Sequence, residues 1–339
     1  MSSHRLAPGK LPSDLLSALL GRGVIRDPRV LVGPGIGRDA AVIEFGDRLL
    51  VAKTDPITFA ADEIGWYAVQ VNANDVAAMG ARPRWFLAAA LLPVRGATAA
   101  LAERIHAEIL EACEALGVAL VGGHTEVTIG LDRPIVVGQM LGEATREELI
   151  RPGMARPGDA LLLTKGLAIE GVALLARECS ERVTREAGPE FAARCRAFLR
   201  APGISVVRDA RCACAAGGVR ALHDPTEGGL ATALRELAEA SGCGLCVRGE
   251  AIPVYPETRR LCALFGLDPL GFLASGALLI AADPARADAV AAAVRAGGVD
   301  CARIGELTPP ERGCRLIRGA EEMELPRFER DEIARVFSG

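Results

Sequence analysis

The chain has 339 residues, half of them apolar and about a quarter charged, which is the composition of a globular protein too long for a single core. Its net charge of −4 gives no support to a nucleic-acid or anionic-membrane partner, since either wants a basic surface. The longest apolar run, Trp85 to Val94, is about half a membrane span, and the opening MSSHRLAPGK has no signal-peptide core, so a cytoplasmic protein is expected.

Residues 11–21 read as a short helix with Ser13 as its cap. The stretch GPGIGRDAAVI follows at 33–43, with Gly33, Gly35 and Gly37 ahead of one acid, Asp39. It lacks the Gly-Lys-Ser/Thr of a P-loop, and it runs into a strand where a dinucleotide fingerprint needs a helix. Strands are expected at 40–44 and 49–54, a long helix at 62–80, a strand at 84–92, a helix at 97–116, and strands at 118–121 and 134–142. Helices and strands therefore alternate. IRPGMARPGD at 150–159 has two prolines, two glycines and no periodicity. Read as a linker, it divides the chain into domains 1–150 and 151–339. Beyond it come a strand at 160–164, helices to about 216, the run HDPTEGG, a helix to 241 and a strand at 244–247. Further strands are expected at 277–282, 302–307 and 314–317, with a helix at 284–296 and an amphipathic helix at 330–337. The fold class is α+β in both halves.

Ten cysteines in so long a chain do not make a disulfide scaffold. Cys212 and Cys214, with Cys243 and Cys246, have metal-like spacing. In a strand, however, Cys243 and Cys246 fall on opposite faces, and all four are read as structural or incidental.

Acids stand in apolar company at several places. Lys53 and Asp55 end an apolar strand two residues apart, so they share a face. Asn72, Asp75 and Met79 fall on one side of the long helix. Asn and Asp inside a helix cost roughly 0.5 kcal/mol each against Ala, and a buried unpaired carboxylate costs several kcal/mol more. Either that face is wet or something positive sits on it. Asp224 and Glu227 bracket a helix start where Pro225 and two glycines leave backbone N–H groups open to an anion. Lone acids at strand and helix ends are what several Mg²⁺ ions holding a polyphosphate need, because Mg²⁺ takes few protein carboxylates and completes its shell with phosphate oxygens.

These stretches, in this order, resemble the superfamily of aminoimidazole-ribonucleotide (AIR) synthetase, thiamine-monophosphate kinase, selenophosphate synthetase and HypE. GIGRDAAVI looks like the family's Gly-Asp-Asp-Ala loop, and NANDVAAMGARP like its Asn-x-x-Asp-x-x-x-Met-Gly-Ala signature. RPGMARPGDALLLTKG looks like its domain crossing. HDPTEGGLATALRELAEASG followed by EAIPV looks most like the HypE branch. The resemblance implies an AIR-synthase-like fold: an N-terminal α/β domain that builds a shared barrel in a homodimer, and a C-terminal α/β domain. It implies ATP in a long cleft and phosphorylation of an oxygen on a small-molecule substrate. By motif position, Asp39, Thr54, Asp55, Asp75, His124 and Asp224 would hold Mg²⁺. Gly37, Arg38, Asn72, Gly122, Gly123, Arg151, Thr226 and Glu227 would line the nucleotide, with Lys53 and Lys165 reaching its γ-phosphate.

Four departures qualify this. Arg38 stands where relatives place the first of two acids. His124, in VGGHTEVT, replaces the Asp of Gly-Gly-Asp-Thr; Glu126, two residues on in a strand extension, would share its face and replace that acid. No cysteine follows Cys314, whereas HypE closes on a cysteine whose carbamoylated thiol is dehydrated with ATP. Glu227-Gly228 stands in place of the kinase's Asp-Gly. The readings therefore run from an ATP-dependent enzyme acting on a separate substrate, through a thiamine-monophosphate kinase and a hydrogenase-maturation factor working on a partner's thiol, to a non-catalytic ATP sensor.

Overall fold

The computed structural model describes residues 11, 13–23, 25–35, 38–58 and 60–337. The first half runs α1 (Ser13–Leu20), β1 (Val30–Val32), β2 (Ala41–Phe45), β3 (Arg48–Ile57), α2 (Ile64–Ala78), β4 (Arg82–Pro93), α3 (Ala99–Leu116), β5 (Ala119–Thr128) and β6 (Ile135–Ala144). Its strands form one sheet in the order β1-β2-β3-β6-β4-β5. Only β4 and β5 pair in parallel, which the crossover through α3 allows. β5 is longer than its sequence suggests. Gly122 and Gly123 are poor strand formers, but the ladder to β4 resumes at Gly122 after a bulge at Val121.

The second half runs β7 (Ala160–Thr164), α4 (Ile169–Glu178), α5 (Ser180–Ala187), α6 (Pro189–Ala197), α7 (Val207–Ala216), β8 (Val219–His223), α8 (Gly229–Ser241) and β9 (Gly244–Arg248). It continues with α9 (Pro256–Phe265), β10 (Leu279–Ala282), α10 (Ala287–Ala296), β11 (Cys301–Thr308), β12 (Cys314–Arg318), β13 (Glu321–Glu324) and α11 (Ala334–Phe337). These strands make a second sheet, β13-β12-β9-β11-β7-β10-β8. Its central strands β7 and β10 are buried on both faces, so they read as unbroken apolar runs.

β1, β8, α9 and β13 are elements the sequence reading did not anticipate. The helix expected over 330–337 shrinks to the one turn of α11. The residues before it have other work: Asp331 accepts from the Gly228 and Leu273 amides, and Glu332 from the Asp268 amide. Cys243 lies just before β9, not in it, and every cysteine is free. Among the described residues no cysteine belongs to a cluster with metal-ligand spacing.

α2 positions the site. It packs on β3 and β6, on α3, and on α7 and β8 of the second half, so every residue but Trp66 is buried. Gly138 of β6 lets it close in, since a Cβ there would collide with the Asn72 amide. Asn74 ties the halves together: its Nδ2 donates to the Ile204 carbonyl at 2.8 Å and its Oδ1 accepts from the Val206 amide at 2.8 Å. Among the described residues no helix is long and apolar enough to cross a membrane.

Candidate functional site

β3 brings two charges to α2. Asp55 is paired with Gly138, the residue that touches Asn72, so Asp55 and Lys53 face the helix. Lys53 Nζ lies 2.6 Å from Asp75 Oδ2 and 3.4 Å from Asp55 Oδ2. The positive group that a buried Asp75 requires is thus Lys53. Asn72 reinforces the join, its Nδ2 donating to the Asp55 carbonyl at 3.2 Å and to the Ala68 carbonyl at 2.8 Å.

The second half meets this face at the end of β8. There His223 and Asp224 come against Asp39, from the loop before β2. One ligand atom from each of Asp39, His223 and Asp224 can be chosen so that all lie within 4.8 Å of one another. Asp224 is 2% exposed, and neither carboxylate oxygen has a hydrogen-bond partner. His223 sits between carboxylates, its Nε2 2.9 Å from Glu236 Oε2 of α8 and its Nδ1 3.6 Å from Asp39 Oδ1.

The electrostatics follow from this crowding. Burial pushes Asp224 well above the ordinary carboxylate range, and the charges of Asp75 and Asp39 push it further. Burial also raises Asp75; Lys53 pulls it down, and Asp39 and Asp55 push it up again. For His223, burial favours the neutral ring, but the charge of Asp39 and hydrogen bonding to Asp39 and Glu236 outweigh it and hold the imidazolium well above its usual pKa. Mutually repelling carboxylates in a dry place are what a divalent cation relieves.

Asp39, Asp55, Asp75 and Asp224 are therefore brought together, with Asn72 and Lys53 among them. Thr226 and Glu227 stand on the same loop as Asp224; the Thr226 carbonyl accepts from the Gly229 and Ala274 amides. Thr54 alternates to the other face of β3, and its hydroxyl donates to the Gly138 carbonyl at 2.9 Å. Arg38 is exposed and turns back onto its own loop, donating to the Gly33 carbonyl at 3.2 Å. Gly37 lies outside the described residues. Arg151 is exposed, one residue before Pro152 and Gly153, which line a small hollow with Asp39 and His223.

Three expectations need correction. Within one chain His124 is not beside the acids. It pairs across the sheet with Ala89 and Val137, one position off the Gly123, Ala88, Gly138 and Asp55 row, and so faces away from α2. It is also three strand spacings from β3, about 14 Å. There it meets Glu126 at 3.2 Å. Lys165 is turned inward and saturated: its Nζ donates to the Ser205 carbonyl at 2.6 Å and the Gly276 carbonyl at 2.7 Å, and pairs with Asp209 at 3.2 Å. Not all amides at the start of α8 are open to an anion, because the Gly228 N–H donates to Asp331 Oδ2 at 2.7 Å. Sequence reasoning also missed His223 and Glu236. The first adjoins Asp224 in HDPTEGG and the second lies one turn-rich loop and two helical turns on, so both were within reach of a closer look at that run.

The chain is thus of a class built from two α/β halves that meet at a buried cluster of carboxylates, with no P-loop in its sequence. The chain belongs to the AIR synthase related protein family: the family's N-terminal domain matches residues 37–144 and its C-terminal domain residues 156–315. It is 36% identical to the carbamoyl dehydratase HypE of Rhodobacter capsulatus over 265 residues, 76% of this chain and 74% of that one. It is 34% identical to carbamoyl dehydratase HypE of Cupriavidus necator, covering 86% of each chain. Among solved structures it resembles hydrogenase maturation protein HypE in complex with ATP, with a TM-score of 0.71 and 27% identity over 93% of this chain and 90% of that one.

Proposed function

We propose that this chain is an ATP-utilising enzyme of the HypE type, which uses Mg²⁺ and activates a carbamoyl-type amide oxygen by phosphorylation so that it can leave. The observation that carries the reading is Asp224, whose buried carboxylate has no hydrogen-bond partner and stands against Asp39 with Asp75 close enough to raise its pKa. A buried carboxylate left this way costs several kcal/mol unless a cation shares the site. Asp39, Asp55, Asp75 and Asp224 would hold the ions. When bound, Mg²⁺ neutralises the triphosphate and polarises the phosphoryl group that is transferred.

This chain's own residues do the rest. Lys53 places a fixed cation at the mouth of the acid cluster, held from both sides by Asp55 and Asp75. Asn72 fixes the backbone of Asp55, and Thr226 and Glu227 stand on the loop beside Asp224. The transferred phosphoryl group goes to the amide oxygen, ADP leaves, and loss of phosphate with the amide protons leaves a nitrile. We also read residues 1–150 and 151–339 as the two domains of a cytoplasmic homodimer. The face of the first sheet away from α2 carries partly exposed Trp85, Leu87, Val137 and Leu141, and a second copy would cover it.

The test is ADP release by the full chain with MgATP and an S-carbamoyl-cysteine peptide. Release that needs both, and falls about 100-fold or more in Asp75→Asn, supports the reading. Release with thiamine monophosphate in place of the peptide would give the chain to the kinase branch. Tight ATP binding with no turnover on any acceptor would make it a sensor.

A further inference from the structure

The donor set at the acid cluster is not one that Mg²⁺ prefers throughout. Asp55 and Asp75 offer oxygen alone, which suits a hard ion that keeps several waters. At the far end the set changes, because Asp39 and Asp224 are joined by the imidazole of His223.

His223 has the surroundings of a metal-binding histidine. Its Nε2 lies 2.9 Å from Glu236 Oε2, and a carboxylate there keeps the Nε2 proton and aims Nδ1 away from α8. Nδ1 then points to Asp39 Oδ1 at 3.6 Å. Two donors each about 2.1 Å from one ion stand about 3.4 to 3.6 Å apart at tetrahedral to trigonal angles. The third donor is Asp224, 98% buried, with both oxygens lacking a partner.

We propose that Asp39, His223 and Asp224 form a mixed nitrogen–oxygen site that selects a borderline first-row cation of the Co²⁺ to Zn²⁺ class over Mg²⁺, with Glu236 as the positioning residue that orients the imidazole. The proposal rests on reading Asp39 and Asp224 as cation ligands and adds the nitrogen donor to it. Binding replaces the Nδ1 proton of His223, which leaves to solvent, while Glu236 retains its hydrogen bond.

The experiment titrates the chelator-stripped, nucleotide-free chain with Co²⁺ alone and Mg²⁺ alone, by calorimetry and by the visible bands of Co²⁺. Co²⁺ should bind on the order of 100-fold more tightly than Mg²⁺. His223→Gln should abolish that preference and alter the Co²⁺ bands while leaving Mg²⁺ affinity within about threefold, since the carboxylates remain. Glu236→Gln should lower Co²⁺ affinity about tenfold with the bands retained, and it serves as the second variant should His223→Gln fold poorly. Equal affinities for the two ions, or a His223→Gln variant that weakens both alike, overturns the nitrogen ligand. MgATP titrated in parallel separates the failures. MgATP binding without a Co²⁺ preference sinks only this proposal, whereas no binding of either ion or of MgATP sinks the reading of the acids beneath it.

Discussion

Two lysines, one within β3 and one just past β7, each stand beside a buried aspartate, and their surroundings hold them in opposite ways. Lys165 follows β7 and touches Asp209, but its ammonium also donates to the carbonyls of Ser205 and Gly276. Those acceptors are rigid backbone, and the side chain is 7% exposed. Nothing from solution can compete for it. Lys53 lies in β3, is 21% exposed, and is held by the side chains of Asp55 and Asp75. Its partners are charges that a bound ligand can share or displace. A lysine whose donors are filled by main chain is fixed in the fold; one held by ionised side chains and still partly exposed can exchange its partners.

Stability measurements can break that comparison most directly. Lys165→Met leaves Asp209, 1% exposed, without its cation and strands two backbone carbonyls. Removing one partner of a buried pair costs about 3–5 kcal/mol. Lys53→Met should cost less than about 2 kcal/mol, because Asp75, already raised by burial, can take up a proton in place of its partner. Urea denaturation of both variants measures the difference. If Lys165→Met melts like the parent, or if Lys53→Met is the more damaging of the two, the distinction between the lysines is wrong.

The next effect sharpens the boundary between the halves. Asn74 makes two buried hydrogen bonds to the segment before α7, and Asn74→Ala leaves the Ile204 carbonyl and the Val206 amide unsatisfied. A loss of about 2–3 kcal/mol is expected. Since the same helix carries Asp75, the variant should also loosen the approach of Asp224 to the acid cluster, read as weaker MgATP binding. A stability loss without a change in MgATP affinity would mean the halves are held in register by apolar packing alone.

What the sequence could and could not say follows the same line. Elements with local signals were legible: β7 as a continuous apolar run, α3 as the helix expected over 97–116, the acids from their discord with apolar neighbours. Pairings between distant residues were not. Lys165 reads as a strand-end lysine because the carbonyls that fill it lie 40 and 111 residues on. The amides opening α8 read as vacant because the acceptor for Gly228, Asp331, is 103 residues away. His124 stands where a family signature has an Asp, yet one position of strand register puts it on the far face of the sheet. His223 closes β8, a five-residue strand after two glycines that reads as loop until β10 pairs with it.

Asp331 yields the smallest expected effect, and pH reads it. Burial raises its carboxyl from the ordinary 3.8 to about 6; the backbone amides of Ile333, Gly228 and Leu273 oppose the rise, and nearby Glu227 adds to it. The folded chain therefore holds this proton more tightly than the unfolded chain does. Protonation of Asp331 stabilises the fold fully below the unfolded value, and that contribution is lost as pH climbs through about 6. Between pH 5 and pH 7 the loss should be about 1 kcal/mol, taken as the change in stability of the parent relative to Asp331→Asn. The carboxamide does not titrate and keeps Oδ1 for the Leu273 and Ile333 amides, so other acids cancel in the difference. A parent-minus-variant difference that stays flat across that window would mean Asp331 is solvated like a surface acid, and the α8 amides would then be open to an incoming anion, as the sequence alone suggests.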